Sequence, residues 1–374
     1  MKIKRSKYFL VLLLCPVLSF SQYLEYSNEF LNIGAGARGI SMGNAQVASV
    51  NDATAGYWNP AGLVKVKDNP NVSIMHAEYF SGIGKYDYGS IAIPIQNNTK
   101  TLAFTFLRFA VDDIPNTLYL VQPDGSVNYN NLQSFSAADY AFLVSYAQHL
   151  KSSRFNDISF GFNAKIIHQI VGSFANSWGF GFDAGMQMTK DKWQFGVIAK
   201  DITTTFNAWS YTFSTQEQQA LFLAGNAIPS KSTELTAPSM AVGTGYNIKI
   251  GKSFNILAEL DANLTFGYMQ NTVVSSKIIS ASPNLGLEAS VDKKFFIRAG
   301  VTNFQQALAD GDTLNQRKVW IFQPSIGAGI VLKDATIDYA YSELANQTSP
   351  LFTNVFSLKI NLVKKEKRVV TNKK

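Results

Sequence analysis

Phe254-Asn-Ile-Leu-Ala-Glu-Leu-Asp-Ala-Asn-Leu-Thr-Phe266 sets Phe254, Ile256, Ala258, Leu260, Ala262, Leu264 and Phe266 on one row. Asn255, Leu257, Glu259, Asp261, Asn263 and Thr265 form the other. Successive side chains of a strand point to opposite faces, so this stretch reads as a strand with one apolar and one polar face. Thirteen residues exceed the usual 5–6 of a soluble strand and suit a tilted strand crossing a bilayer. The pattern recurs. Trp178, Phe180, Phe182, Ala184, Met186 and Met188 alternate with Gly179, Gly181, Asp183, Gly185, Gln187 and Thr189, and Phe356, Leu358, Ile360 and Leu362 with Ser357, Lys359 and Asn361. The polar row carries Asp183, Lys200, Glu259, Asp261, Glu288, Arg298, Asp338 and Lys359. A packed soluble core would not hold so many charges, whereas a barrel lumen does.

Such segments fall at 72–80, 86–95, 101–111, 137–149, 157–170, 177–189, 193–203, 239–249, 253–266, 282–291, 294–302, 319–332, 335–343 and 351–362. Fourteen is an even number, as a single-chain bacterial barrel requires. The third segment is expected to carry a bulge where Arg108 follows Leu102, Phe104 and Phe106. Short connections at 96–100, 150–156, 190–192, 250–252, 292–293 and 333–334 alternate with long ones at 112–136, 204–238, 267–281 and 303–318. The short side is expected to be periplasmic and to hold both chain ends.

Composition agrees. Only 16% of the 374 residues are charged, well below the quarter usual in soluble domains, and no apolar run of 18 residues occurs. The net charge of +7 sits at the ends. Lys2, Lys4, Arg5 and Lys7 precede residue 21 and the last eleven residues add +5, so 22–363 carry about −2 and no nucleic-acid surface is implied. Residues 1–21 combine a basic start, the apolar stretch 8–18 and Ser19-Phe-Ser21, the pattern of a signal peptide. Cys15, the single cysteine, falls within it, which removes thiol catalysis and disulfides from the mature chain. The expected organisation is a signal peptide (1–21), an N-terminal hatch inside the barrel (22–70), the transmembrane barrel (71–363) and a basic periplasmic tail (364–374). The tail either contacts an acidic partner or lipid headgroups, or is solvated.

Residues 29–63 break the alternation with a Gly-rich run. No strand precedes the glycines and no Gly-Lys-Ser/Thr follows, so a phosphate loop is disfavoured against close backbone packing. Gly36-Ala-Arg38-Gly39, Met42-Gly43 and Tyr57-Trp58-Asn59-Pro60-Ala-Gly62-Leu63 resemble the N-terminal signature of the PorV/PorQ proteins of Bacteroidetes outer membranes, relatives of FadL. The stretches 200–210, 225–229 and 234–238 resemble that family's central loop. The resemblance implies a 14-stranded FadL-like barrel with a hatch. It also implies a role in the type IX secretion system, docking on a large translocon or on the surface-attachment machinery. Its alternative implication is passage of hydrophobic compounds, with a hydrophobic ligand in the lumen. The chain departs from FadL in continuing past Leu362.

No enzyme, metal or cofactor is expected. His76, His149 and His168 lack ligand spacing. Asp139 with His149, or Asp157 with His168, are weak candidate pairs beside the polar lining any barrel needs. Trp178 and Trp193 read as interfacial girdle. Asn207, Trp209, Tyr211, Phe213, Leu221, Phe222 and Leu223 in the longest loop read as the candidate partner-contact surface.

Overall fold

Alternating faces oblige the strands to close around a polar interior, and they do. The computed structural model describes residues 27–363 apart from 121, 123–124, 151–156, 230, 310–316 and 344–350, so the signal-peptide and tail readings lie outside the described residues. The strands are β1 (Asn71–Tyr79), β2 (Gly84–Ile95), β3 (Lys100–Asn116), β4 (Gln133–Leu150), β5 (Asp157–Val171), β6 (Ala175–Lys190), β7 (Trp193–Lys200), β8 (Thr205–Tyr211), β9 (Ser232–Thr236), β10 (Ser239–Ile250), β11 (Phe254–Phe266), β12 (Ile279–Val291), β13 (Phe295–Leu308), β14 (Lys318–Leu332), β15 (Ala335–Glu343) and β16 (Phe352–Asn361). β1 to β7 pair in chain order, β7 pairs with β10, and β10 to β16 follow; β16 then pairs with β1, Asn71 opposite Asn361.

β8 is not a separate wall member. It pairs with residues 175–180 of β6, while β7 pairs with residues 184–190 of the same strand. β7 and β8 are thus one wall strand broken at 201–204, and β9 and β10 one strand broken at 237–238. The wall is a closed barrel of fourteen antiparallel strands, in the segments the alternation marks. The stretch 204–238 departs from the expected loop. Inward-facing Thr205 and Asn207 fit over Gly179 and Gly181, where a Cβ would collide with them, so the chain keeps pairing with β6 before forming helix α3 (Thr215–Leu223; numbered after α1 and α2 below).

The outer face shows one edge of an apolar band. The cross-strand row Ile74, Gly89, Phe106, Phe142, Ile166, Phe180 is apolar, and the next row towards the long loops is His76, Asp87, Arg108, Tyr140, His168, Trp178. This is where the hydrocarbon band gives way to the headgroup level. Arg108 therefore does not mark a bulge. It stays in phase, outward, because Asp87 lies 3.1 Å away and also holds His76 at 2.8 Å. The bulge sits further on, between Val111 and Ile114, with Asp113 at φ 55°.

The segment 27–66 fills the lumen, with short helices α1 (Ala37–Ser41) and α2 (Ala55–Trp58) and 3-10 turns Glu29–Asn32 and Pro60–Lys65. It runs lengthwise. Ser27 and Asn28 lie beside Asn207 and Thr236 near the long loops, and Lys67 reaches the Asn98 carbonyl at a short turn. The C-terminal strand ends on the short-turn side as expected, Asn361 N–H bonding the Asp334 carbonyl. The first described residue does not, because a segment threaded through the barrel to enter β1 from below must start above.

Candidate functional site

The motif around Asn59 builds the centre of this plug. Asn59 is fully buried, its Oδ1 accepts from the Ala61 N–H, and its amide donates to the carbonyls of Val47 (2.9 Å), Met186 (3.1 Å) and Val197 (3.3 Å). Pro60 needs no N–H partner and starts the following turn. The wall makes room with glycine: a Cβ on Gly161 would strike the Pro60 backbone, and one on Gly185 the Asn59 amide. Gly43, at φ 60°, lies against the backbone of Val301; Gly39 lies under the Trp58 ring, and a Cβ on Gly62 would meet the Val50 carbonyl. Gly36 (φ 82°) precedes α1. Trp58 donates to the Ala35 carbonyl at 2.8 Å. All eight motif residues singled out from sequence, Gly36, Arg38, Gly39, Gly43, Trp58, Asn59, Pro60 and Gly62, lie in the plug.

Two sets of lumen charges hold it. Asp261 accepts the N–H groups of Gln46 (2.8 Å) and Val47 (2.9 Å), and Glu259 those of Ala48 (2.8 Å) and Ser49 (3.1 Å). On the wall strands that follow, β12 to β16, the ions alternate in a chain. Asp52 meets Lys359 (3.0 Å), Lys359 meets Asp338 (3.6 Å), Asp338 meets Arg298 (2.7 Å), Arg298 meets Glu288 (2.6 Å) and Glu288 meets Arg38 (2.9 Å). The chain starts and ends on the plug and is charge-balanced. Burial opposes the charge of Asp52, but Lys359, Thr54 and Arg38 outweigh it and bring its carboxyl down to about 2. Burial likewise opposes the Arg38 charge, and Glu288 more than offsets it, raising its pKa. Burial pushes up the Tyr57 phenol, which donates to the Leu31 carbonyl and accepts the Gly34 N–H, both at 2.8 Å.

Above the plug lies a cavity of about 730 Å³, open towards the long loops. Phe30, Ile33, Tyr57, Trp58, Phe109 and Ile198 are among its apolar lining, and Asn, Gln, Ser and Thr side chains with the charged Glu29, Asp139 and Lys200 supply its polar part. A smaller chamber of about 80 Å³ adjoins it at the break between β7 and β8. There Lys165 bridges Asp183 (2.8 Å) and Asp201 (2.6 Å), Thr205 donates to Asp201, and Asp201 and Thr204 take φ of 55° and 62°. Such φ values are costly for a β-branched threonine. Lys200 lines both spaces, 5.6 Å from the Tyr57 ring centre. Ser27 and Asn28 latch onto the strands just above, Asn28 bonding Thr236 (2.7 Å) and Asn207 (2.8 Å).

Several sequence expectations are redistributed. Asn207, Trp209 and Tyr211 of the candidate contact surface belong to the inward row of β8, and Asn207 is fully buried. Phe213 stacks on Phe174. Only the α3 end remains outward, with Phe222 76% and Leu223 64% exposed and Leu221 half-buried. Neither His–Asp pair forms. His149 instead meets Asp157 at 2.6 Å, Asp139 accepts from Gln169, and His168 donates to the Ser177 carbonyl while stacking on Trp178. Trp193 is outward against Phe195 and Tyr246, as girdle residues are. Among the described residues no cluster of three or more His, Cys, Asp or Glu could hold a metal. The break at 201–204 and the latch at Ser27 were invisible as sites. The Gly179-x-Gly181 pair was their one local signal.

No family model matches the chain and no curated protein is similar to it. Solved structures are. The CymD monoaromatic hydrocarbon channel superposes with a TM-score of 0.58 at 11% identity, over 89% of this chain and 99% of that one. The fold is that of the hydrocarbon channels. The toluene transporters TbuX of Ralstonia pickettii (TM-score 0.54, 13% identity) and TodX of Pseudomonas putida (0.53, 11%) each match over 88% of this chain and 98% of their own. The chain thus shares the closed-barrel fold of these channels, and its PorV/PorQ resemblance rests on the quoted motifs alone.

Proposed function

We propose that this barrel passes small hydrophobic compounds across the outer membrane by a sideways route. The carrying observation is a cavity of about 730 Å³ with aromatic residues in its lining, set on a plug that bonds to the wall all round. Buried polar contacts in this number do not part together readily, so a solute that enters from outside leaves through the wall. The strand breaks at 201–204, and the smaller chamber leads to that break. The fold shared with channels named for monoaromatic hydrocarbons and toluene supports the ligand class.

The test is uptake of radiolabelled toluene by cells expressing the protein, with Asn28→Cys/Thr236→Cys as a reversible lock on the latch. Uptake above that of barrel-free cells, falling when the disulfide forms and returning on reduction, supports the reading. Uptake equal to barrel-free cells sinks it. A second reading, docking on a large secretion complex, is favoured by the uncovered apolar tip of α3 at Phe222 and Leu223. Recovery of a larger outer-membrane partner in a mild-detergent pull-down, lost in Phe222→Ser/Leu223→Ser, supports it.

A further inference from the structure

β12 and β13 pair only from Leu285–Val301 to Val291–Phe295, although both strands run six or seven residues further towards the long loops. Beyond that point β12 pairs with β11 alone and β13 with β14 alone. The cause is local. Ala281 turns its N–H and C=O away from β11, to Val274, so Pro283, two residues on, presents its missing N–H to the β13 side. On the facing strand Asn303 (φ 57°) begins an irregularity between Thr302 and Gln305. The last link across is between side chains, Thr302 Oγ1 to Asn284 Oδ1 at 2.6 Å.

Residues 267–278 wedge into this seam. Towards β12, Val274 exchanges backbone hydrogen bonds with Ala281 (2.8 and 3.2 Å), and Gln270 N–H bonds Ser280 Oγ at 3.0 Å. Towards β13, the Asn271 side chain imitates a strand: its amide donates to the Gln306 carbonyl (2.6 Å) and its oxygen accepts the Gln306 N–H (2.9 Å). Gln270, Ser282, Asn284, Thr302 and Asn303 at the seam also line the large cavity. The other side of the wedge exposes Met269, Val273, Val274 and Ile278, the last 81% exposed. Cavity and apolar outer surface are thus separated by one loop. By contrast the break at 201–204 is spanned by the buried Lys165, Asp183 and Asp201 ions rather than by a loop.

We propose that the β12–β13 seam is a second lateral portal, through which hydrophobic compounds pass between the cavity and the outer leaflet when the wedge 267–278 swings away with Asn271 as its latch. This rests on the transport reading but names a different exit. It is tested in two arms. In proteoliposomes, a bimane fluorophore on Ser282→Cys faces the cavity beside the seam, and one on Gln169→Cys faces it from β5. Doxyl groups on lipid acyl chains quench only what lipid can reach. Asn271→Ala is expected to raise quenching at 282 at least threefold and leave 169 unchanged; equal quenching with and without Asn271 overturns the portal. In cells, Asn284→Cys/Thr302→Cys is expected to cut toluene uptake at least fivefold when oxidised, with recovery on reduction. Unchanged uptake under this lock, in a protein that does transport, overturns the portal and leaves the transport reading standing. If the parent protein takes up no toluene, the transport reading fails and the quenching arm alone decides whether the seam opens to lipid.

Discussion

Replacing Arg38 by Ala should free the plug without unfolding the barrel. Its guanidinium donates to Glu288 at 2.9 and 3.4 Å, Gln46 at 2.6 Å and Ser49 at 3.3 Å. In the chain Asp52, Lys359, Asp338, Arg298, Glu288, Arg38 each charge faces its opposite, and removal of Arg38 leaves one uncompensated buried carboxylate. Breaking a buried pair from one side costs about 3–5 kcal/mol. At 1.4 kcal/mol per tenfold, local opening of the plug rises by roughly two to three and a half orders of magnitude. Hydrogen exchange of the amides of 37–50, followed by mass spectrometry in nanodiscs, reads this directly, and heat-modifiable gel migration checks that the barrel persists. The companion variant Arg38→Ala/Glu288→Ala restores charge balance, since Arg298 keeps Asp338 and Lys359 keeps Asp52. It should recover at least about 1 kcal/mol of the loss. Exchange in Arg38→Ala within tenfold of the parent, or a double variant as damaged as the sum of its parts, would refute the ion-chain account.

Acid should loosen the same segment. Asp52 is ionised down to about 2 in the folded barrel, below an ordinary aspartate, so its contribution is present above about pH 4 and fades as pH falls towards 2. The difference corresponds to roughly 2 kcal/mol, absent in Asp52→Asn, and exchange of 50–56 against pH measures it. Gly300→Ala would press a Cβ into the Met42–Gly43 backbone and should cost at least about 1–3 kcal/mol of plug protection, whereas Gly89→Ala, with nothing within 4 Å, should not. Phe222→Ser/Leu223→Ser should leave toluene uptake at the parent level while removing any large co-purifying outer-membrane partner; reduced uptake would place α3 on the solute path instead.

Strand position, facing and number follow from the sequence because period-2 alternation is a local property that every wall strand repeats. Phe254 to Phe266 alone states which side chains meet lipid and which meet the lumen. The Gly-rich run and Asn59-Pro60 also announce tight backbone packing locally, without saying against what. Pairing partners are a different matter. Nothing local tells that Asp261 receives the N–H groups of Gln46 and Val47, that Arg38 and Asp52 close a chain through four wall strands, or that Asn207 and Trp209 turn inwards rather than out of a loop. Those depend on register between residues up to three hundred apart. The seam at Pro283 shows the division most clearly. A proline inside an alternating strand is visible as a lost donor, but which neighbour loses its partner is fixed only when β11 and β13 take their places on either side. Alternation determined the barrel; where its wall can open was decided by the hydrogen bonds the closed barrel leaves unmade.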